Sequence, residues 1–495
     1  MPEAQPLDGL QLDELHVVSD LHLGGPAGFQ IFASGPELAW LADSVRLSSA
    51  KGLAALLING DFIDFLAEEP ARAFDPEGAA TKLARVMADA AFKPAFDAMA
   101  RLLATPNRLL IINLGNHDLE LSLPWVRSRL VAALCGPGLD TAARARLLLV
   151  TDGTGVLAQV GKARVLCQHG NEIDPWNVTD HERLRRIARD AQYGKPVEPW
   201  APNAGSQLVV EVMNQVKTAY PFVDLLKPET QAVVPILSAL NPALLKRMQE
   251  LGAVAARTAT DLVRLRTGFL GADDEAERGT VTTAPPPSWR GPAPGASAQV
   301  LMDQAEQAFQ AGVTPISLVR TSQAEQLGVW QAAWDWLRGQ PRHEVLREAL
   351  DFLDKDRSFD PSAPDETFRQ FDRRVAPEID LLLTGHTHLA RSLKRTRGDG
   401  HYFNSGTWAR LMRVAPEVRQ DKDRFRQLYE LLGNARMADL DQQPGLVMRP
   451  NTVVAIWADA QGATQAELRQ VQAVDAKGKT GFSAVPVAGS RFTRA

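Results

Sequence analysis

Short apolar runs, each ending abruptly in polar residues, dominate the patterning of this chain. Leu15 to Ser19, Leu56 to Asn59, Leu109 to Leu114, Arg164 to Gln168 and Leu381 to Thr384 are near-continuous hydrophobic stretches of strand length. Runs of this kind suit β-strands buried on both faces. Between them lie helical patterns, of which Pro36 to Ala50 and Ala80 to Leu103 are the clearest. The second carries Leu83, Val86, Met87, Ala90, Phe92 and Phe96 at mostly helical spacing. Alternation of strands and helices predicts an α/β layered fold. Further β-type runs occur at Tyr402 to Asn404 and Thr452 to Trp457. The latter is predicted to form a hairpin with Ala466 to Val471 around Asp459-Ala-Gln-Gly462.

The segment between Gln168 and Leu381 breaks this alternation. It reads mainly as helix: Glu182 to Gln192, Ser206 to Thr218, Pro242 to Leu265, Val300 to Ala311, Thr321 to Arg338 and His343 to Asp354. Its middle, 271–298, holds Pro285-Pro-Pro, Gly291-Pro-Ala-Pro294-Gly295 and the acidic Asp273-Asp-Glu, the composition of a mobile linker. The expected organisation is therefore a core of 1–174 and 378–495 interrupted by a helical insertion, 175–377. A smaller helical insertion is expected over 411–450.

Composition narrows the class. Hydrophobic residues are 45% and charged residues 23% of 495 positions, as in globular proteins, and this length calls for an enlarged domain or two domains. A net charge of −5 does not favour nucleic acid as a partner. The two cysteines, Cys135 and Cys167, are too few for a disulfide framework, and a cytoplasmic location is expected. Met1-Pro-Glu-Ala-Gln-Pro is neither basic nor followed by an apolar stretch, so no secretory signal is expected. The most apolar span, Tyr220 to Leu245, contains Asp224, Lys227, Glu229 and four prolines, which argues against a transmembrane segment.

The polar residues that end each apolar run carry the chemistry. Five polar clusters appear in order: Asp20-Leu-His22, Gly60-Asp61, Gly115-Asn116-His117-Asp118, Cys167-Gln-His169-Gly170 and Gly385-His386-Thr-His388. They hold five of the nine histidines. Singly, each also reads as an ordinary turn; together they form a carboxylate, amide and imidazole set suited to hard or borderline divalent ions. All lie at strand C-termini, where open α/β sheets place their sites. Two divalent ions about 3.5–4 Å apart can clamp the attacking and leaving oxygens of an in-line displacement.

This order of motifs, with Asp64 completing Gly60-Asp61-Phe-Ile-Asp64, resembles the calcineurin-like metallophosphoesterase superfamily over roughly residues 14–170 and 378–410. The resemblance implies a four-layer α/β/β/α sandwich and hydrolysis of a phosphoester by a metal-bridging hydroxide. It implies that Asp20, His22, Asp61 and His388 hold one ion. Asp61 bridges to a second ion completed by Asn116, His169 and His386. His117 is implied as general acid, with Asp118 orienting it and Asp64 as a supporting partner. Two divalent ions are the expected cofactors, Mn²⁺ foremost, with Fe²⁺, Zn²⁺ or Ni²⁺ as alternatives.

Departures from subfamilies narrow the substrate. Asp64 stands where purple acid phosphatases place tyrosine. Phe65-Leu66 and Asp118 depart from the serine/threonine protein phosphatase pattern. The motif style is nearest to bacterial UDP-2,3-diacylglucosamine pyrophosphatases, except that those usually carry arginine at the position of His117. Nucleotide-sugar pyrophosphatase, nuclease and a non-catalytic protein-binding scaffold are the alternative readings. The insertion between His169 and His386 is expected to act as a specificity cap.

Several other residues read as structural. His16 is expected to pack within the first strand and His181 to start a helix. Asn404 and Gly406 are expected in a turn, and Trp330, Trp334 and Trp336 in helix packing. Asp174-Pro-Trp176-Asn177 is a candidate pocket wall.

Overall fold

A computed structural model describes residues 9–136, 140–226, 341–355, 359–433, 435–476 and 479–494. The expected linker 271–298, the helices expected at Pro242 to Leu265, Val300 to Ala311 and Thr321 to Arg338, and the tryptophans 330, 334 and 336 lie outside those residues.

The apolar runs are strands. In chain order they are β1 (Leu10–Leu12), β2 (Glu14–Val18), β3 (Ala54–Asn59), β4 (Arg108–Asn113), β5 (Leu147–Val150), β6 (Val156–Val160), β7 (Ala163–Cys167) and β8 (Leu381–Thr384). Next come β9 (Arg391–Lys394), β10 (His401–Asn404), β11 (Leu411–Met412), β12 (Val447–Met448), β13 (Thr452–Ala458), β14 (Thr464–Ala476), β15 (Lys479–Pro486) and β16 (Phe492–Arg494). One sheet has the order β15-β14-β13-β2-β3-β4-β5, with β16 also on β14. The second large sheet runs β1-β6-β7-β8-β10-β9, and β11 and β12 pair separately. Both large sheets are mixed: β2, β3, β4 and β5 are parallel neighbours, as are β7 and β8, whereas β13 joins β2 antiparallel. The fold is thus mixed α/β. The β13–β14 hairpin forms as expected.

Alternation along each strand shows why the runs are apolar throughout. Leu15, Val17, Ala55, Leu57, Leu109 and Ile111 face Val165, Cys167, Leu381, Leu383 and Phe403 of the other sheet in one buried cluster. The intervening Val18, Leu56, Ile58, Leu110 and Ile112 pack on helices α1 (Gly35–Arg46), α2 (Ala79–Ala88), α3 (Lys93–Ala104) and α4 (Pro124–Cys135). Strands with both faces covered have no polar position to offer. On the second sheet, Leu382 and Tyr402 meet Phe368 and Phe371 of the helix Glu366–Arg374. The Arg395 guanidinium closes that helix, donating to the carbonyls of Val375 (2.7 Å) and Ile379 (2.6 Å) while pairing with Asp372 (2.9 Å).

The single helix expected over Ala80 to Leu103 is two. Asp89 is extended (ψ 131°) and ends α2, and α3 restarts with Pro94 in its first turn. Proline lacks the N–H an interior helical position must donate, so it is tolerated only near a helix start.

The described parts of the insertion pack against the rest of the chain. Leu184 and Ile187 of the helix His181–Gln192 join the cluster under α4. Val212, Met213, Val216, Phe222 and Leu346 share a satellite core with Phe425, Leu432, Met437 and Leu440 from the 411–450 segment. The two insertions meet there. Among the described residues no helix is long and apolar enough to cross a membrane. Cys135 and Cys167 are both buried and free.

Candidate metal centre

The five clusters converge on one point at the C-terminal ends of both sheets. Asp20 lies two residues beyond the end of β2, Asp61 two beyond β3, His169 two beyond β7 and His386 two beyond β8, with Asn116 three beyond β4. Parallel pairing of β2, β3 and β4, and of β7 and β8, brings these ends side by side.

The chain bends sharply to achieve this. Five of the seven non-glycine residues with left-handed φ among those described are Asp20 (53°), His22 (50°), Asp61 (53°), His386 (67°) and His388 (60°). Such backbone costs about 1–3 kcal/mol per residue and persists where surrounding contacts impose it. The contacts are visible. The His386 N–H donates to both Asp20 carboxylate oxygens, at 3.1 and 3.0 Å. The Ser19 hydroxyl also bonds that carboxylate, and Thr407 Oγ1 donates to the Asp20 carbonyl at 2.8 Å. Gly115 is required by closeness, since a Cβ there would collide with the Asp61 carboxylate.

Two groups of donors result. Asp20, His22 and His388 form one, and Asp61, His169 and His386 another, the donor atoms in each lying within 4.8 Å of one another. The Nε2 atoms of His22 and His388 are 3.0 Å apart, and His388 Nε2 is 3.4 Å from Asp20 Oδ1. Asp61 stands between the groups: its Oδ2 is 3.2 Å from His169 Nε2 and 3.7 Å from His22 Nε2. These buried clusters could hold a metal ion. A third grouping, His22, Asp61 and His117, overlaps both.

Hydrogen bonds orient the candidate donor atoms. His169 Nδ1 lies 2.8 Å from the Asn59 carbonyl, which fixes that nitrogen as a donor and turns Nε2 toward Asp61 Oδ2, 3.2 Å away. His386 Nε2 is 2.8 Å from Asp174 Oδ2. Asn116 donates Nδ2 to Asn177 Oδ1 at 3.4 Å, and its own Oδ1 is buried and unbonded. Outer partners of this kind set tautomer and ring orientation in metal sites. Buried, unbonded acceptors are costly unless something cationic satisfies them.

The electrostatics agree with a cation-binding donor set. Burial and the neighbouring Asp61 push Asp20 up, and burial and Asp61 push Asp118 up to about 7. Burial opposes charge on His169, yet Asp61 and Asp20 drive it up to about 10. Asp61 stays well below the usual carboxylate range, burial being outweighed by His169, His117 and His22. The cluster therefore retains protons that bound metal would displace.

The structure redistributes the roles around His117. The carboxylate meeting its ring is Asp64, with Oδ1 3.1 Å from His117 Nδ1, while Asp64 Oδ2 lies 3.3 Å from His22 Nδ1. Both imidazoles hold Asp64 well below the usual range despite its burial. Asp118, expected to orient His117, instead accepts from the backbone N–H of Phe62 (2.8 Å) and Gly115 (2.7 Å), bracing two motif loops against each other.

Other expectations resolve similarly. His16 is packed, beside Glu14. His181 does start a helix, half-buried against Gly153. Asn404 is more than a turn residue: its Nδ2 donates to the Gly385 carbonyl (2.7 Å) and Thr387 Oγ1 (3.1 Å), tethering the last motif. Asp174 bonds His386 and Asn177 bonds Asn116, while Trp176 packs toward the satellite core. The signal for Asn404 was its place as the polar last residue of a buried strand, close to where the candidate ligands stand on the other strands.

No protein-family model matches this chain, and no curated protein sequence matches it.

Proposed function

We propose that the chain is a calcineurin-like metallophosphoesterase that hydrolyses a phosphoester at two divalent ions. Asp20, His22, Asp61 and His388 would hold one ion, and Asp61, Asn116, His169 and His386 the other. The observation that carries this reading is the position of Asp61, whose Oδ2 approaches a ring nitrogen of each donor group. A carboxylate so placed suits a shared ligand between closely spaced ions. Two sheets packed face to face, with helices on each outer side, support the four-layer α/β/β/α arrangement. The oxygen and imidazole donors favour Mn²⁺, with Fe²⁺, Zn²⁺ and Ni²⁺ as alternatives.

When bound, such ions supply Lewis acidity toward phosphoryl oxygens and activate water as a nucleophile. The chain's own residues supply the rest. Asp64 engages His117 at Nδ1 and, being ionised, favours the protonated ring. Nε2 is then the atom assigned to donate a proton to the leaving oxygen, a contribution typically worth ~10²–10⁴-fold. Asp118 keeps the Gly115 and Phe62 backbone, and hence Asn116 and Asp61, in register. Burial of Asp20, His169 and Asp61 keeps bulk water from competing for the donors.

The test is metal analysis combined with turnover of bis(p-nitrophenyl) phosphate, p-nitrophenyl phosphate and DNA in the presence of each ion. About two ions per chain and chelator-sensitive hydrolysis of at least one phosphoester are expected. Bound ions with no turnover of any phosphoester would overturn the enzymatic reading in favour of a binding scaffold.

A further inference from the structure

The second donor group leans on a segment outside the five motifs, Asp174 to Asn177. Asp174 Oδ2 meets His386 Nε2 at 2.8 Å, and Asn177 Nδ2 donates to that same Asp174 oxygen at 2.7 Å. The other end of the Asn177 amide, Oδ1, accepts from Asn116 Nδ2 at 3.4 Å. One side chain therefore touches Asn116 directly and His386 through a carboxylate. The amide supplies, at its two ends, both the donor and the acceptor this needs. With Nδ2 of Asn116 engaged, the buried and unbonded Oδ1 is left as its ligand atom.

The backbone of this segment is gripped by residues 203–205, at the start of a second helical run of the insertion. The Gly205 N–H donates to the Trp176 carbonyl at 2.7 Å, and Asn203 Nδ2 donates to the Asn177 carbonyl at 3.1 Å. Asn203 Oδ1 simultaneously caps the helix beginning at Ala204, accepting from the Ser206 N–H at 2.7 Å. Gly205 has to be glycine, because a Cβ there would strike Asn177 Oδ1. Helical backbone then continues to Ala219, through a π-helical turn at Val209–Met213 of a kind often found at functional sites. Asn214 of this run donates to the Leu66 carbonyl at 3.0 Å, two residues beyond Asp64. The opposite side of the run, Val212, Met213 and Val216, is buried in the satellite core.

We propose that Asn177 is a positioning residue that couples the Asn116–His386 side of the metal centre to the seating of the helical run 204–219. This rests on the proposed two-ion centre. A substrate or partner that shifts the run would loosen the ion held by Asn116, His169 and His386. Asp20, His22 and His388, which would hold the other ion, take no part in the hydrogen bonds of the Asn177 amide, and that ion would stay.

The experiment is a titration of the metal-free full-length chain with Mn²⁺, read by equilibrium dialysis and by low-temperature electron paramagnetic resonance. Wild type is expected to bind two ions and show a spin-coupled signal. Asn177→Ala is expected to weaken one ion by about 10–100-fold, the usual effect of removing an outer partner. At one equivalent it shows the six-line signal of an isolated ion. Asn203→Ala leaves the Asn177 amide in place but removes the grip on its backbone, and is expected to weaken the same ion to a smaller extent. It also carries the test should Asn177→Ala fail to fold. Wild-type affinities for both ions in these variants, or equal weakening of both ions, would overturn the coupling. A wild-type chain that binds no Mn²⁺ would overturn the metal centre itself, a result distinct from either.

Discussion

Replacing His117 by alanine separates two roles open to its imidazole. The ring lies in a donor grouping with His22 and Asp61, and it also pairs with Asp64 as a proton donor would. Its side chain is 17% exposed, against 0%, 3% and 7% for His169, His22 and His388, which places it at the rim of the cluster. Neither the Asp20, His22 and His388 group nor the Asp61, His169 and His386 group includes it. The stability cost is also bounded. Asp64 keeps His22 Nδ1 at 3.3 Å and the Ala67 N–H at 3.1 Å, so its carboxylate is not stranded. Losing one hydrogen bond to a charged group then costs about 1.5–3 kcal/mol. Loss of general acid catalysis is larger, ~10²–10⁴ in kcat, or about 2.7–5.4 kcal/mol of barrier. The assay is kcat for aryl phosphoesters of rising leaving-group pKa, with Mn²⁺ content measured in parallel. His117→Ala is expected to keep its ions and to lose most rate with the poorest leaving groups. Loss of an ion, or an equal loss of rate across the series, would refute the assignment.

Asp61→Ala removes the residue between the two donor groups and is expected to weaken both ions, whereas His169→Ala weakens one; dialysis against Mn²⁺ distinguishes them. Asp64→Asn keeps the shape of the partner of His117 but not its charge, and is expected to lower kcat by about 10–100-fold and to weaken the ion assigned to His22, whose Nδ1 also faces Asp64 at 3.3 Å. Burial pushes His401 down to about 4 from 6.5. Between those values the unfolded chain binds a proton the folded one does not, so stability falls as pH drops through that window, by up to about 3 kcal/mol. Thermal unfolding of His401→Phe should show a flatter acid limb, and an unchanged limb would remove His401 as the cause.

Much of the site was legible because it is written at strand ends. A strand buried on both faces must be apolar, so the first polar residues after it are conspicuous, and Asp20, Asp61, Asn116, His169 and His386 all sit there. Partners chosen across space were not legible. Nothing local says that Asp64 rather than Asp118 meets His117, since both lie three residues or fewer from a motif residue and both are buried. Asn404 and Asn177 likewise act on residues distant in the chain, through contacts only the folded loops create. The break between α2 and α3 had a local cause, Pro94, masked by the apolar spacing that continues across it.

By itself, the sequence determined the class of the elements, their order and the chemistry of the donors, because periodicity and residue type are local properties. The tertiary structure decided which donors share a point. Parallel pairing aligned the ends of β2, β3 and β4 in one sheet and of β7 and β8 in the other. Packing of the two sheets brought those ends together. Left-handed turns at five motif residues then aimed the side chains inward. It also joined the two insertions in one apolar core and tied Asn203, the cap of the helix beginning at Ala204, to Asn177. Such contacts link residues far apart in the chain, so their energy is realised only on folding, and no short stretch of sequence carries it.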